Sequence, residues 1–189
     1  MSESELIVRA QGGDVAAFET LVQKYDRKVL GFALNLLKNQ DDARDAYQEI
    51  FLKAFQALPR FRRESQFSTW LYRIAYHTCV SFLRRRHHTP TLTWPGEGDT
   101  PSPGDWPDAD QSNPEKKVLQ KEFFSVVQNV VATFSPKRQT IFYLRYQNDL
   151  SLKDISAATG LSLSAVKNHL FKIHEKLRNE LKGYGEVYP

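Results

Sequence analysis

The sequence predicts an all-α protein of two small helical domains, joined by a flexible acidic, proline-rich linker and ending in a helix-turn-helix. Three observations support this fold class. Apolar residues recur every three or four positions over residues 6–58, which places them on one face of a helix. Residues 89–114 contain six of the nine prolines. Near the C-terminus, a short helical segment, a glycine and a longer basic segment follow one another.

The first domain, residues 1–88, shows no strand-like alternation of apolar and polar residues. Gly12-Gly13-Asp14 interrupts the first apolar pattern and predicts a helix end followed by a restart. Pro59 ends the next helix, because proline disfavours the helical conformation in the residue before it. A polar connection then leads to a helix that closes in three arginines. The predicted helices cover about residues 6–37 with the break at 12–14, 41–58 and 67–86.

The linker, residues 89–114, has five acidic side chains and no lysine or arginine. The flanking segments are basic, with 14 basic and 10 acidic residues in 1–88 and 12 and 7 in 115–189. Its prolines and glycines predict a disordered or extended tether. Such a tether spans roughly 28 Å as a coil and about 86 Å when pulled straight. Two basic domains on an acidic tether predict a protein that binds a polyanion at two places, with nucleic acid the leading candidate.

The second domain, residues 115–189, resumes with a helix to about Thr133. Ser135-Pro136 then predicts a capped helix to about Tyr146. Ser151 and Asp154 have the spacing of a capping box and open a short helix that ends near Gly160. Ser162 is positioned to cap a final helix that reaches about Leu181. The last two helices form the predicted helix-turn-helix.

The final helix separates its residues by face. At 100° per residue one side is apolar, predicting a buried face of Val166, Leu170, Ile173, Leu177 and Leu181. Phe171 falls on the opposite side with Ser164, Asn168 and Glu175, flanked by Lys167 and Lys172. An ordinary amphipathic helix with one exposed phenylalanine would give the same pattern. The alternative that we favour is a major-groove helix, with Ser164, Lys167, Asn168 and Phe171 at base edges and Lys172 on phosphate.

Composition excludes several functional classes. The single cysteine, Cys79, cannot form an internal disulfide, and no signal-peptide or membrane-spanning pattern occurs, so we expect a cytoplasmic protein without membrane insertion. The histidines and Cys79 lack the spacing of a zinc site. No phosphate-binding loop or catalytic dyad is evident. We therefore expect no metal, no cofactor and no enzymatic activity.

The residues of both domains resemble those of the bacterial extracytoplasmic-function (ECF) RNA polymerase sigma factors, in the sigma-70 family. Residues 42–49, Asp-Ala-Arg-Asp-Ala-Tyr-Gln-Glu, resemble the family's Asp-Ala-x-Asp-x-x-Gln-Glu helix. Residues 67–75, Phe-Ser-Thr-Trp-Leu-Tyr-Arg-Ile-Ala, are similar to its Phe-x-Thr-Trp-Leu-x-x-Ile-Ala motif. The helix-turn-helix matches at Leu150-Ser151, Ile155, Gly160 and Val166-Lys167. The resemblance covers nearly the whole chain.

The resemblance implies a transcription initiation factor that binds core RNA polymerase and directs it to specific promoters. The first domain would correspond to sigma region 2 and the second to region 4. The implied polymerase-binding residues are Asp42, Asp45, Gln48 and Glu49. Those for the melted minus-ten strand are Arg62, Arg63, Glu64, Ser65, Gln66, Arg73, His77, Arg84 and Arg85. Those for the duplex minus-thirty-five element are Ser162, Ser164, Lys167, Asn168, Phe171 and Lys172.

The resemblance further implies an inhibitory anti-sigma factor that clamps both domains. The chain departs from the family at His77 and Ser81, where Asn and Asp are common, and at His169, where Arg is frequent. We expect His77 to be buried and neutral; the alternative is a histidine that makes recognition mildly pH dependent. Two other functions fit parts of the sequence: a stand-alone helix-turn-helix transcriptional regulator, and a pure interaction protein that acts as an anti-sigma decoy.

Overall fold

The computed structural model describes residues 1–88 and 114–182 and shows no strand within them. Eight α-helices follow one another along the described chain. They are α1 (Glu3–Gln11), α2 (Val15–Leu37), α3 (Gln40–Ala57), α4 (Phe67–His88), α5 (Pro114–Ala132), α6 (Pro136–Tyr146), α7 (Leu152–Thr159) and α8 (Leu163–Glu180). A 3-10 turn, Leu58–Arg60, follows α3. The predicted all-α class is confirmed, with helix ends within a few residues of the predicted positions.

The chain divides into two compact units, with α1–α4 in the first and most of α5–α8 in the second; residues 157–160 are grouped with the first. The predicted division at residues 88 and 115 stays a prediction. Of the predicted linker, residues 89–114, positions 89–113 lie outside the described residues and Pro114 begins α5. In the first unit, α2 packs against α1, α3 and α4. Its core includes the fully buried Val29, Phe32, Ile50 and Leu71. Phe32 meets Tyr72 edge to face, with ring centroids 5.7 Å apart.

Helix boundaries in the first unit follow local capping chemistry. Asp14 accepts a hydrogen bond from the backbone N–H of Ala17 at 3.0 Å and begins α2. Asn39 does the same for the N–H of Asp42 at 2.9 Å and begins α3. Two apolar residues within the pattern of residues 6–58 are nevertheless exposed, Val8 at 49% and Phe55 at 42%. Phe55 still contacts Phe18 edge to face, at 5.0 Å between centroids.

In the second unit, α6 packs against α5 and α8. Its buried side includes Ile141, Tyr143 and Leu144. The predicted cap at Ser135 is absent as a side-chain hydrogen bond, and Pro136 alone marks the first turn of α6. Asn148 then fixes the exit from α6, because its side chain donates to the carbonyl of Tyr143 at 3.0 Å. This turn sets the start of the helix-turn-helix.

Candidate polymerase and nucleic-acid interfaces

Helix α3 presents the four residues predicted to bind polymerase. Asp45 and Gln48 are exposed, whereas Asp42 and Glu49 are half-buried. The opposite side of the helix is buried through Ala43, Ala46, Ile50 and Ala54. The acidic and amide groups therefore lie on the outer side of a helix that is anchored in the core. We refer to Asp42, Asp45, Gln48 and Glu49 as the α3 face.

Glu49 differs from its neighbours because it is engaged within the protein. Its carboxylate lies 2.6 Å from the Lys53 ammonium and 3.6 Å from the Arg85 guanidinium of α4. Lys53 also donates to the hydroxyl of Thr78 at 3.3 Å. The Lys53 hydrogen bond and charge, with the charge of Arg85, hold the pKa of Glu49 below its usual range. This network connects a residue predicted for polymerase with one predicted for DNA.

Residues 62–66, predicted to hold melted DNA, form an exposed loop between α3 and α4. Arg63 adopts a left-handed backbone conformation, with φ of 58°, which is uncommon for a residue with a side chain. The loop begins after the buried Phe61 and ends before the buried Phe67. Within it, Arg62 and Glu64 approach to 3.9 Å, and Ser68 donates to the Gln66 side chain at 3.5 Å. We call residues 62–66 the base loop.

A groove of about 500 Å³ runs between α3 and α4 on the side of the first unit that carries Arg73 and His77. Trp70 lines it and also contacts Phe61 and Phe67, with ring centroids 4.9 and 5.4 Å away. Trp70 is half-buried. Part of the ring therefore supports the ends of the base loop while part faces the groove.

The expectation that His77 is buried is wrong, because its side chain is exposed beside Arg73 and Arg84. The buried side of α4 instead runs through Leu71, Ala75 and Cys79. Partial desolvation and the two arginines lower the pKa of His77. The neutral state is thus favoured at pH 7.

Acidification should destabilise the protein through His77. Because the folded-state pKa lies below the unfolded value of about 6.5, the unfolded chain binds the proton more tightly. The stability that neutral His77 contributes to the folded state is complete above the unfolded-state pKa of about 6.5. It is lost as the pH falls below that pKa. Thermal unfolding at pH 7.5 and 5.5 checks this: His77→Gln should lose less stability than the unsubstituted protein. An equal decline in both would contradict the assigned environment.

The far end of α4 carries Arg84 and Arg85, both exposed. Arg85 lies over the Phe82 ring, with 4.7 Å between the guanidinium carbon and the ring centroid. It also forms the ion pair with Glu49. Arg84 therefore presents the less constrained of the two cations for a phosphate.

Helix α8 shows the predicted separation of faces. Val166, Leu170 and Ile173 are buried, while Leu177 and Leu181 are half-buried. On the other side, all the predicted contact residues are exposed, Phe171 by 67%. They are Ser162, Ser164, Lys167, Asn168, Phe171 and Lys172. We call these six residues the α8 face.

Local chemistry fixes where α8 begins. Gly160 has a φ of 72°, which a glycine adopts without strain in the turn after α7. Ser156 donates to the carbonyl of Leu161 at 2.6 Å. The Ser162 hydroxyl accepts from the backbone N–H of Ala165 at 3.2 Å and caps the helix. These bonds position the first turns of α8.

The start of α6 adds cations that the sequence did not single out. Burial, followed by the charges of Arg138, Lys137 and Lys172, lowers the pKa of His169. Helices α6 and α8 pack together, so the basic start of α6 lies near the side of α8 that carries His169. The only signal in the sequence is the Lys-Arg pair after Pro136. Its proximity to α8 depends on the packing of the two helices.

Two absences hold for the residues that the structure describes. None of the helices traced over 1–88 and 114–182 is both long and apolar enough to cross a bilayer. Within the same part of the chain, no three histidine, cysteine or acidic side chains form a group suited to a metal ion.

Two family models match the chain. Sigma-70 region 2 matches residues 21–89, and Sigma-70, region 4 matches residues 125–177. The first covers α3, the base loop and α4, and the second covers α6, α7 and most of α8. The two matched regions thus contain all three predicted contact surfaces.

Relatives match over nearly their full length. RNA polymerase sigma-H factor of Pseudomonas aeruginosa is 32% identical, over 95% of this chain and 94% of its own. ECF RNA polymerase sigma-E factor of Haemophilus influenzae is 30% identical, over 96% of both chains. The ECF RNA polymerase sigma-E factor of Escherichia coli K12 is 28% identical, over 96% of this chain and 95% of its own.

Solved structures share the fold. CnrH, in complex with the cytosolic domain of CnrY, has a TM-score of 0.64 and 19% identity, covering 94% of this chain and 96% of its own. The sigma factor RpoE of Bartonella quintana, in complex with the anti-sigma factor NepR, has a TM-score of 0.67 and 18% identity. The match covers 87% of this chain and 96% of that protein. The matches to both regions and the full-length relatives confirm the resemblance: the chain belongs to the sigma-70 family as an ECF RNA polymerase sigma factor, a transcription initiation factor that directs RNA polymerase to promoters.

Proposed function

We propose that the two halves of the chain divide promoter recognition between them. Residues 1–88 bind core polymerase and hold the melted minus-ten strand, and residues 115–189 read the minus-thirty-five element as duplex. The observation that carries the proposal is the α8 face, where an exposed phenylalanine stands among lysines and polar groups opposite a buried apolar side. An exposed aromatic ring on a basic helix suits base contacts in the major groove.

The α3 face is the proposed polymerase contact. Asp45 and Gln48 supply an exposed carboxylate and amide on a helix whose other side is fixed in the core. A rigid helix with few groups to order on binding favours affinity. Glu49 contributes less than these two residues, because its carboxylate already has cationic partners in Lys53 and Arg85.

The base loop and the outward side of α4 form the proposed minus-ten contact. The five loop residues combine cationic, anionic and hydroxyl or amide groups, which suit the edges and phosphates of unstacked bases. Arg73 and His77 extend this polar surface along the groove between α3 and α4. Holding a flipped base offsets the few kcal/mol that unstacking costs, and so favours strand opening.

The α8 face reads the duplex through two kinds of contact. Ser164, Lys167, Asn168 and Phe171 face base edges, and Lys172 supplies positive charge for a phosphate. The Ser162 hydroxyl caps the helix, so we assign it a positioning part in addition to any phosphate contact. The neutral state favoured at His169 distinguishes this face from one with an arginine there.

Anti-sigma control is the proposed regulation. Two solved proteins of the same fold are in complexes, CnrH with the cytosolic domain of CnrY and RpoE with the anti-sigma factor NepR. They support an anti-sigma factor as a partner of this chain. Since core polymerase and promoter DNA are the working partners, we place the protein in the cytoplasm and assign it no catalytic activity of its own.

Run-off transcription with purified core polymerase tests the proposal. The reconstituted holoenzyme should give discrete products from a subset of genomic fragments, and mapped starts should share two upstream elements. Core polymerase alone serves as the control. Absence of any product that depends on the chain would contradict the proposal. Tight binding to a duplex operator without polymerase would instead favour the stand-alone regulator.

A further inference from the structure

Gln11, the last residue of α1, bonds to the backbone that leads into the base loop. Its side-chain amide nitrogen donates to the carbonyl of Leu58 at 3.1 Å and to that of Phe61 at 2.7 Å. The partners are 47 and 50 residues away in sequence. One amide thus spans the 3-10 turn after α3 and holds the residue directly before the loop.

The position of Gln11 is fixed by the turn that follows it. The N–H groups of Gly13 and Asp14 donate to the carbonyls of Ala10 and Arg9, both at 3.1 Å. Gly13 has a φ of 93°, a conformation that favours glycine. Arg9 and Asp14 also pair at 2.6 Å. The end of α1 is therefore held where its glutamine reaches the turn.

The turn that accepts these bonds is itself rigid. Leu58 is 1% exposed, and its carbonyl also accepts from the N–H of Phe61 at 3.0 Å. The Phe61 ring lies against Trp70 and Phe67, at 4.9 and 6.0 Å between centroids. Phe67 is 3% exposed and begins α4. The exposed base loop is consequently anchored at both ends.

We propose that Gln11 is a positioning residue for minus-ten recognition, which fixes the start of the base loop in the conformation that receives an unstacked base. The inference rests on the proposed function of that loop. A loop held in its binding conformation loses less freedom when a base enters, so preorganisation favours binding. The residue precedes the segment matched by the region 2 model, which begins at residue 21.

The test compares two unbranched replacements in the full chain bound to core polymerase. Gln11→Met keeps the length and apolar stem but removes both N–H donors, and Gln11→Lys restores donors. Gln23→Met, at an exposed glutamine of α2, is the matched control. The probe is a DNA template with a premelted bubble and random bases at the minus-ten positions. The bubble sequences that the polymerase complex binds are selected from this mixture. Thermal unfolding of each variant is measured in parallel.

We expect Gln11→Met to bind the selected bubble about tenfold more weakly and with a flatter base preference. Gln11→Lys should recover most of both properties, and Gln23→Met should match the parent. Unchanged binding by Gln11→Met, or no recovery by Gln11→Lys at equal thermal stability, would overturn the proposal. Glu64→Ala distinguishes the role of Gln11 from the function of the base loop. If Glu64→Ala weakens binding while Gln11→Met does not, only the role of Gln11 fails. If neither matters, the proposed function of the loop fails with it.

Discussion

Replacing Asp45 and Gln48 together by lysine should weaken binding to core RNA polymerase about 100-fold, ~2.8 kcal/mol. Both side chains are exposed on α3, so the change removes a carboxylate and an amide from the proposed contact and adds two positive charges there. The fold should persist, because lysine is a better helix former than aspartate and neither side chain is buried. Competition between labelled and unlabelled chain for core polymerase measures the affinity.

Two variants make this result specific to the α3 face. Glu19→Lys with Gln23→Lys, on exposed positions of α2, changes the net charge by the same amount and should leave the affinity within about threefold of the parent. Glu49→Gln should cost less than the double variant, because Lys53 and Arg85 already neutralise its carboxylate. Parental affinity in the Asp45→Lys, Gln48→Lys protein would remove α3 from the interface.

Phe171→Ala should weaken binding to the duplex minus-thirty-five element by about 1–3 kcal/mol, roughly 5- to 150-fold. The ring is 67% exposed, so its removal leaves no cavity and the thermal stability should not change. The loss should be greatest on the preferred sequence and small on unrelated duplexes. Fluorescence anisotropy with duplexes taken from the mapped promoters provides the measurement.

Lysine variants on α8 serve as the comparison for Phe171→Ala. Lys172→Ala should weaken binding to all sequences alike and reduce the salt dependence by about one phosphate contact. Lys176→Ala, exposed one turn further along α8 on the same side as Lys172, should have little effect on base preference. An unchanged sequence preference in Phe171→Ala would show that the base-reading side of α8 was misassigned.

The helical faces could be read largely from sequence. Burial of Val166, Leu170 and Ile173, and exposure of Phe171, follow from a single helix with a 3.6-residue repeat. Turn chemistry is equally local, as the Gly-Gly-Asp break and the Ser162 cap illustrate. The exposed Val8 marks the limit of this reasoning, because periodicity gives a face but does not say how far its neighbour extends over it.

Relations between helices required the structure. The ion pair of Glu49 with Arg85, and the bonds from Gln11 to Leu58 and Phe61, join residues whose spacing in sequence carries no signal. His77 was misjudged for the same reason, since its exposure is set by where α3 and α4 leave a groove.

The sequence by itself determined the all-α class and the residue types on each proposed contact surface, because helix periodicity and capping act within a few residues along the chain. Its motifs carried the family resemblance. Only the tertiary structure decided which of those residues are already engaged, as Glu49 and Arg85 are, and which remain available, as Asp45, Gln48 and Phe171 do. The physical reason is that ion pairs and hydrogen bonds depend on atoms within about 4 Å. Distances that short between separate helices are fixed by core packing.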